Sequence, residues 1–185
     1  MTRIALVRHP DTPSVFVSSI DAEIARVEEG MIVIRYSAMG DVAKLSVPEP
    51  VQYSTRQPDL WRTTCFEAFA ASRDEGAYLE FNFAPSTGWA AFRFSGRREG
   101  RTDLALQAPH FDVDRLPDRL DVTVAVGVAD LVDLPADRSW KMNLSAVIEE
   151  TDGTISYWAL AHPSGAPDFH HPGCFVLELP PPERL

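Results

Sequence analysis

The stretch from Asp59 to Ser95 most constrains the fold, because apolar side chains recur there at every second position. In its middle run, Leu79, Phe81 and Phe83 alternate with Tyr78, Glu80 and Asn82. A period of two is typical of a β-strand with one face in an apolar core. The runs around Phe66 and Phe92 alternate in the same way. We therefore predict three consecutive antiparallel strands, joined by short turns at residues 73–76 and 85–88 that each end in glycine.

The second face of these strands carries the first candidates for a binding site. Parity along the three runs assigns five side chains to it: Glu67, Glu80, Asn82, Trp89 and Arg93. Two like charges on adjacent strands need a cation between them. We therefore expect the Arg93 guanidinium to lie between the carboxylates of Glu67 and Glu80.

The rest of the chain also has the patterns of strands and turns. Extended runs are predicted at residues 20–27, 31–36, 42–47, 111–113, 120–128, 140–150, 154–160 and 175–179. A shift in the alternation at residues 25–27 indicates a bulge, and the proline-containing residues 48–58 and 161–173 are predicted loops. Roughly ten strands without a long helix predict an all-β fold, an antiparallel β-sandwich of jelly-roll or immunoglobulin-like type. We expect one domain over residues 1–185.

Composition narrows the classes of partner. Seventeen basic and 27 acidic residues give a net charge of −10 without a basic cluster, so we expect neither nucleic acid nor a membrane surface as a partner. No apolar run approaches the length of a membrane span, and the first residues lack the apolar region of a secretory signal, which predicts a cytoplasmic protein. The two cysteines, Cys65 and Cys174, are far apart and are expected to be buried hydrophobic residues rather than metal ligands.

Several of these residues also carry a resemblance to a known family. Trp61 is followed by CFEAF at residues 65–69, then by YLEFNF at residues 78–83 and a turn that contains a tryptophan. This pattern resembles the DOMON-like superfamily and, within it, the type 9 carbohydrate-binding modules. Residues 144–179 resemble the C-terminal half of small bacterial DOMON-like proteins. The resemblance implies a β-sandwich of DOMON type.

The resemblance also implies a function and a set of site residues. In the sugar-binding members, two tryptophans enclose a sugar ring while a glutamate, an arginine and an amide bind its hydroxyls. The resemblance places Trp61, Glu67 and Arg93 in these roles, with Trp158 as the second tryptophan. We therefore expect a non-catalytic module that binds a mono- or oligosaccharide, since aromatic walls suit the C–H faces of sugars and polar groups suit their hydroxyls. Structural calcium is implied by the resemblance alone, because no acidic cluster here matches its ligands.

Four alternatives remain open. A metal-dependent enzyme could use His162, Asp168 and His170 from the histidine-rich loop as ligands. Glu67 and Glu80 could form a carboxylate pair for glycoside hydrolysis, although an intervening Arg93 would keep both ionised. The third alternative is a protein-interaction module without a small ligand. The fourth is a haem protein, but we expect no cofactor, because Met142 lies on a predicted core face.

Overall fold

The computed structural model describes residues 2–27, 30–72 and 76–182. This part of the chain contains thirteen strands: β1 (Thr2–Arg8), β2 (Val17–Val27), β3 (Met31–Gly40), β4 (Thr55–Arg56), β5 (Cys65–Ser72), β6 (Tyr78–Phe83), β7 (Gly88–Phe94), β8 (Thr102–Asp103), β9 (His110–Leu116), β10 (Arg119–Gly127), β11 (Trp140–Glu149), β12 (Ile155–Ala159) and β13 (Leu177–Leu179). The all-β prediction is confirmed. Of the turn predicted at residues 73–76, positions 73–75 lie outside the described residues. None of the helices described is long and apolar enough to cross a membrane.

The strands form a sheet that is folded into two layers. The first sheet has the order β1-β2-β3-β10-β9, and the second has the order β7-β6-β5-β11-β12. Strand β1 joins the layers, because its residues Thr2 to Leu6 pair with β2 and its last two residues, Val7 and Arg8, pair with β12. The short strands β4 and β8 pair with β7, and β13 pairs with β11. All of these pairs except the parallel β4–β7 pair are antiparallel, which confirms the predicted sandwich.

The main core lies between the two sheets. Ile34 and Val124 from the first sheet and Phe81 and Leu144 from the second are fully buried in it. Tyr36 of β3 crosses this core: its ring stacks on Phe66 at 5.0 Å between centroids, and its hydroxyl donates to the Glu67 carbonyl oxygen at 2.7 Å. The first sheet is thereby bonded directly to the strand that carries Glu67.

The outer face of the second sheet is covered as well. Residues 161–175, which we call the covering segment, lie against it through Phe169 and Phe175. These side chains belong to a second apolar cluster, the outer cluster: Leu60, Cys65, Phe69, Tyr78, Ala84, Ala90, Phe92, Phe94, Val147, Ala159 and Phe169, with Phe175 packed against them. Cys65 and Cys174 are free and buried, as predicted. Strands β5 and β6 are consequently buried on both faces.

Two local predictions are wrong. Residues 42–47 are not a strand: Val42–Lys44 is a single 3-10 turn, followed by an isolated bridge between Leu45 and Glu150. Val42 and Leu45 are buried, so their apolar character reflects a turn packed on the core. The irregularity expected at residues 25–27 lies instead between Val17 and Ser19 of β2.

Candidate functional site

A cleft of about 510 Å³ opens on the outer face of the second sheet. Glu67 of β5 and Glu80 of β6 lie in it, together with residues of β7, β11 and β12. Three further segments contribute to its lining: the 3-10 turn before β5, the turn after β7, and the covering segment. Its volume falls within the range of roughly 300–1,000 Å³ that is usual for small-molecule sites. We call this cavity the cleft.

The floor of the cleft is acidic. The strand register pairs Glu67 with Asn82 and Phe69 with Glu80, so the two glutamates are diagonal neighbours on one face. Their exposed fractions are only 3% and 5%. The Asn82 amide donates to Glu80 Oε1 at 2.6 Å. Glu67 Oε1, in contrast, has no hydrogen-bond partner among the described residues.

The two carboxyl groups lie in unequal electrostatic environments. Burial raises the pKa of Glu67 well above its usual value, and the charge of Glu80 raises it further against the opposing effect of Arg98. Burial also raises the pKa of Glu80, but the hydrogen bond from Asn82 and the charges of Arg101 and Arg98 oppose the shift. Glu80 is therefore better placed to carry the negative charge.

Two buried polar residues of β11 lie on the same sheet face as the glutamates, outside the cleft lining. Ser145 is paired with Glu67 and Asn143 with Phe69, so both side chains lie on the outer face. Asn143 Nδ2 donates to the Phe169 carbonyl at 3.1 Å. Ser145 Oγ and Asn143 Oδ1 have no partner within the described part of the chain. Since buried polar atoms are normally hydrogen-bonded, these two atoms leave unused hydrogen-bonding capacity in the sheet beside the cleft.

Trp61 gives the cleft its exposed aromatic side. Leu60, in the same 3-10 turn, is buried in the outer cluster and holds the turn against the sheet. Trp61 itself remains 44% exposed and lines the cleft. Asp59 before it has a φ of 56°, a left-handed conformation that aspartate adopts more readily than most residues. The other aromatic residues of the lining are Phe94, Tyr157 and Phe169.

The turn after β7 brings two arginines to the cleft. Gly100 has a φ of 60°, and a Cβ there would lie 2.2 Å from Ser95 Oγ, so this tight turn requires glycine. Arg98 and Arg101 line the cleft. Arg98 Nη2 also donates to Asp168 Oδ1 at 2.9 Å, which ties the turn to the covering segment.

His170 presents a neutral imidazole beside Glu80. Its Nδ1 lies 2.7 Å from the Tyr78 hydroxyl, and its Nε2 lies 3.7 Å from Glu80 Oε2. The Arg98 backbone N–H donates to the same hydroxyl at 3.1 Å, so the hydroxyl proton is free to point at Nδ1. Burial lowers the pKa of His170 to about 4, and Arg98 adds to the effect. The neutral ring then carries its proton on Nε2, as a donor toward the floor.

Two of the predicted site residues lie on the wrong face. The register pairs Phe83 with Trp89 and Leu79 with Arg93, and directly paired residues share a face. Trp89 is therefore buried in the main core. Arg93 pairs with Asp133 and reaches solvent near the end of β7. The predicted position of Arg93 between Glu67 and Glu80 is wrong, whereas Glu67, Glu80 and Asn82 do share the outer face.

Trp158 is also separate from Trp61. It is 4% exposed within the main core, and its indole N–H donates to Ser156 Oγ at 3.0 Å. Its neighbour Tyr157 lines the cleft instead. The expectation that Trp61 and Trp158 enclose one ligand is therefore wrong, because successive residues of β12 point to opposite faces.

The three predicted metal ligands make contacts with other protein groups instead. His162 Nε2 lies 2.8 Å from the Val7 carbonyl oxygen, Asp168 pairs with Arg97 and Arg98, and His170 bonds to Tyr78. Within residues 2–27, 30–72 and 76–182, no three His, Cys, Asp or Glu side chains form a group that could hold a metal ion. These contacts instead fasten the covering segment to the sheet.

Sequence reasoning did not identify Arg98, Arg101 and Tyr157 as site residues. The charged run at residues 97–101 was visible as a turn, but nothing local showed that its arginines reach the glutamates. The alternation in β12 places Tyr157 and Trp158 on opposite faces, but it does not show which of the two faces is the outer one.

No protein-family model matches the chain, and no curated protein matches it. Solved structures share its fold. A candidate carbohydrate-binding protein from Bacteroides uniformis aligns with a TM-score of 0.68 and 14% identity over 94% of this chain and 83% of its own. A family 9 carbohydrate-binding module from Caldicellulosiruptor kristjanssonii, in complex with glucose, aligns with a TM-score of 0.54 and 9% identity over 97% and 86%. These similarities confirm a fold like that of the type 9 carbohydrate-binding modules, whereas the assignment to the DOMON-like superfamily stays a prediction.

Proposed function

We propose that this chain is a carbohydrate-binding protein and that the cleft is its sugar site. The observation that carries the proposal is the joint presence of a half-exposed indole, Trp61, and a buried polar floor in one cavity. The floor offers the Glu67 carboxyl group, whose Oε1 lacks a partner among the described residues. A purely structural floor would have little reason to retain such an atom.

The chemistry of the lining suits a sugar. The apolar C–H face of a pyranose packs on an aromatic ring, while its hydroxyls both donate and accept hydrogen bonds. Trp61 and Tyr157 provide aromatic surface. Glu80 accepts hydrogen bonds, and Arg98 and Arg101 donate them. The two fold neighbours described as carbohydrate-binding support the same class of ligand.

Binding accounts for the geometry better than hydrolysis does. Arg93 pairs with Asp133 and does not keep the two glutamates ionised. However, Glu67 and Glu80 lie side by side on one sheet face. Glycosidases place their two carboxyl groups so that they flank the scissile bond.

The test is isothermal titration calorimetry against a panel of neutral mono- and disaccharides that includes glucose and cellobiose. We expect saturable binding to the wild type, and a loss of at least about tenfold in affinity for Trp61→Ala, as for removal of an aromatic contact of the central site. Tyr53→Ala is the matched control, because Tyr53 is 72% exposed and lies outside the cleft lining.

Either of two results would overturn the proposal: no heat of binding with any sugar at millimolar concentration, or equal affinity of the Trp61 and Tyr53 variants. Release of glucose from cellobiose during the titration would replace binding by hydrolysis as the function.

A further inference from the structure

We propose that Glu67 meets the sugar as a neutral carboxyl group that donates a hydrogen bond, while Glu80 meets it as the ionised acceptor. This inference rests on the proposed sugar site and gives its two acidic residues opposite roles. It also narrows the ligand to a sugar that presents an acceptor oxygen and a hydroxyl donor next to each other.

Among the residues that the structure describes, no arginine or lysine side chain forms a salt bridge with Glu67 or Glu80. Diagonal neighbours on adjacent strands have Cα atoms roughly 7–8 Å apart, which lets long side chains on the same face interact. Both carboxyl groups are almost fully buried. Two buried like charges at this spacing repel each other strongly, so one group of the pair keeps a proton.

The hydrogen-bond partners show which group keeps the proton. Asn82 donates to Glu80 Oε1 at 2.6 Å, whereas His170 Nε2 lies 3.7 Å from Glu80 Oε2, beyond hydrogen-bond distance. The bond from Asn82 favours a carboxylate at Glu80. Glu67 Oε1 receives no donor from the described residues. A protonated Glu67 can supply its own donor, which a ligand oxygen in the cleft can then accept.

The titratable and polar groups that surround Glu67 also favour Glu67 as the protonated member of the pair. They are Glu80 and Asn82 from β6, Cys65 from β5, Ser145 from β11, Tyr157 from β12, Arg98 and Arg101 from the turn after β7, His170 from the covering segment, and Tyr36 from β3. Arg98 is the cation that acts on Glu67, and it is also bonded to Asp168. Arg101 and Arg98 both act on Glu80. The positive charge of the cleft therefore favours ionisation at Glu80.

The proposal makes unequal predictions for three variants. Glu67→Gln keeps an N–H donor at the same place, so its affinity for glucose should stay within about threefold of the wild type. Glu67→Met removes the donor, and Glu80→Gln removes the charged acceptor. Each of these should weaken binding by about tenfold or more, the usual effect of losing one buried hydrogen bond to a ligand.

The pH dependence gives an independent check. When the pH rises through the pKa of Glu67, the wild type loses its donor and its affinity for glucose should fall. Glu67→Gln has no proton to lose there, so its affinity should stay constant over the same range.

Carbon-13 NMR of the glutamate carboxyl groups tests the protonation without any ligand. The resonance that disappears in Glu67→Gln identifies Glu67, and the resonance that disappears in Glu80→Gln identifies Glu80. We expect Glu67 to titrate at a higher pH than Glu80.

The outcomes separate the two proposals. If sugars bind but Glu67→Gln is as weak as Glu67→Met, or if Glu67 titrates below Glu80, this inference is wrong and the sugar site stands. If no sugar binds, the proposed function fails, and the NMR titration alone then decides whether Glu67 is the protonated member of the pair.

Discussion

Asp168 holds the covering segment over the cleft, and Asp168→Asn should loosen it. Asp168 Oδ2 accepts a hydrogen bond from Arg97 Nε at 3.1 Å, and Oδ1 accepts bonds from Arg98 Nη2 at 2.9 Å and from the backbone N–H of His170 at 3.2 Å. Asparagine has one oxygen and no charge, so it cannot satisfy both guanidinium groups.

The exposed fractions of the three side chains determine how much stability Asp168→Asn should lose. The Asp168 side chain is 16% exposed, but those of Arg97 and Arg98 are 52% and 59% exposed. Exposed ion pairs contribute about 0–1 kcal/mol each, so the two pairs together should contribute at most about 2 kcal/mol. In a chain of this size each kcal/mol corresponds to roughly 2–4 °C in the melting temperature.

The pKa of Asp168 determines how the stability contributed by these ion pairs changes with pH. Burial alone would raise the pKa of Asp168, but the hydrogen bonds and charges of Arg97 and Arg98 outweigh it and hold the pKa below its usual value. The stabilisation is therefore fully present above about pH 3.9, the ordinary aspartate value, and is lost as the pH falls through the lowered pKa.

Urea unfolding of the wild type and of Asp168→Asn measures this difference, with Asp133→Asn as the control for a single partly exposed ion pair with Arg93. The difference for Asp168→Asn should shrink in about 1 M salt, because screening weakens exposed pairs. Hydrogen exchange at His170 should accelerate in the variant. Unchanged stability together with unchanged exchange would refute the proposed role of Asp168.

Two further predictions concern single aromatic residues. Trp61→Phe should abolish any sugar-dependent change in tryptophan fluorescence and most quenching by acrylamide. The reason is that Trp61 is 44% exposed, whereas the other three tryptophans, Trp89, Trp140 and Trp158, are at most 4% exposed. A sugar response that persists in this variant would assign the signal to another indole. Tyr36→Phe should lower the free energy of unfolding by about 1 kcal/mol in urea melts, since it deletes the buried hydrogen bond to the Glu67 carbonyl while keeping the ring; an unchanged midpoint would show that this bond contributes nothing net.

The strands that could be predicted are those whose two faces differ in chemistry. In β6, the core face carries Leu79, Phe81 and Phe83 and the outer face carries Glu80 and Asn82, so the period of two identifies both the strand and its core face. The run at residues 42–47 lacks such a contrast. Val42 and Leu45 are apolar because a 3-10 turn packs them on the core, and apolar character alone does not separate the two structures.

The candidate site was harder to predict because the second sheet is buried on both faces. In β7, polarity suggested that Arg93 belongs with the glutamates, but the hairpin register places it with Leu79. In β12, Tyr157 and Trp158 are both large and aromatic, so alternation gave no reason to choose between them. The positions of Arg98 and Arg101 depend on how a turn packs against the distant covering segment, which local sequence does not specify.

The position of β1 between the two sheets has a consequence for the order of folding. The pairing of its first residues with β2 can form early from nearby residues, but the partner of Val7 at its end is Ala159, about 150 residues away. Contacts of such sequence separation form slowly because a long loop must close first. Until Ile155–Ala159 arrives, Val7 and Arg8 lack their strand partner and are open to pairing with strands of other molecules. Refolding at high concentration should therefore lose more protein to aggregation than refolding at low concentration, and a ribosome-bound chain that ends before β12 should keep these two residues unpaired.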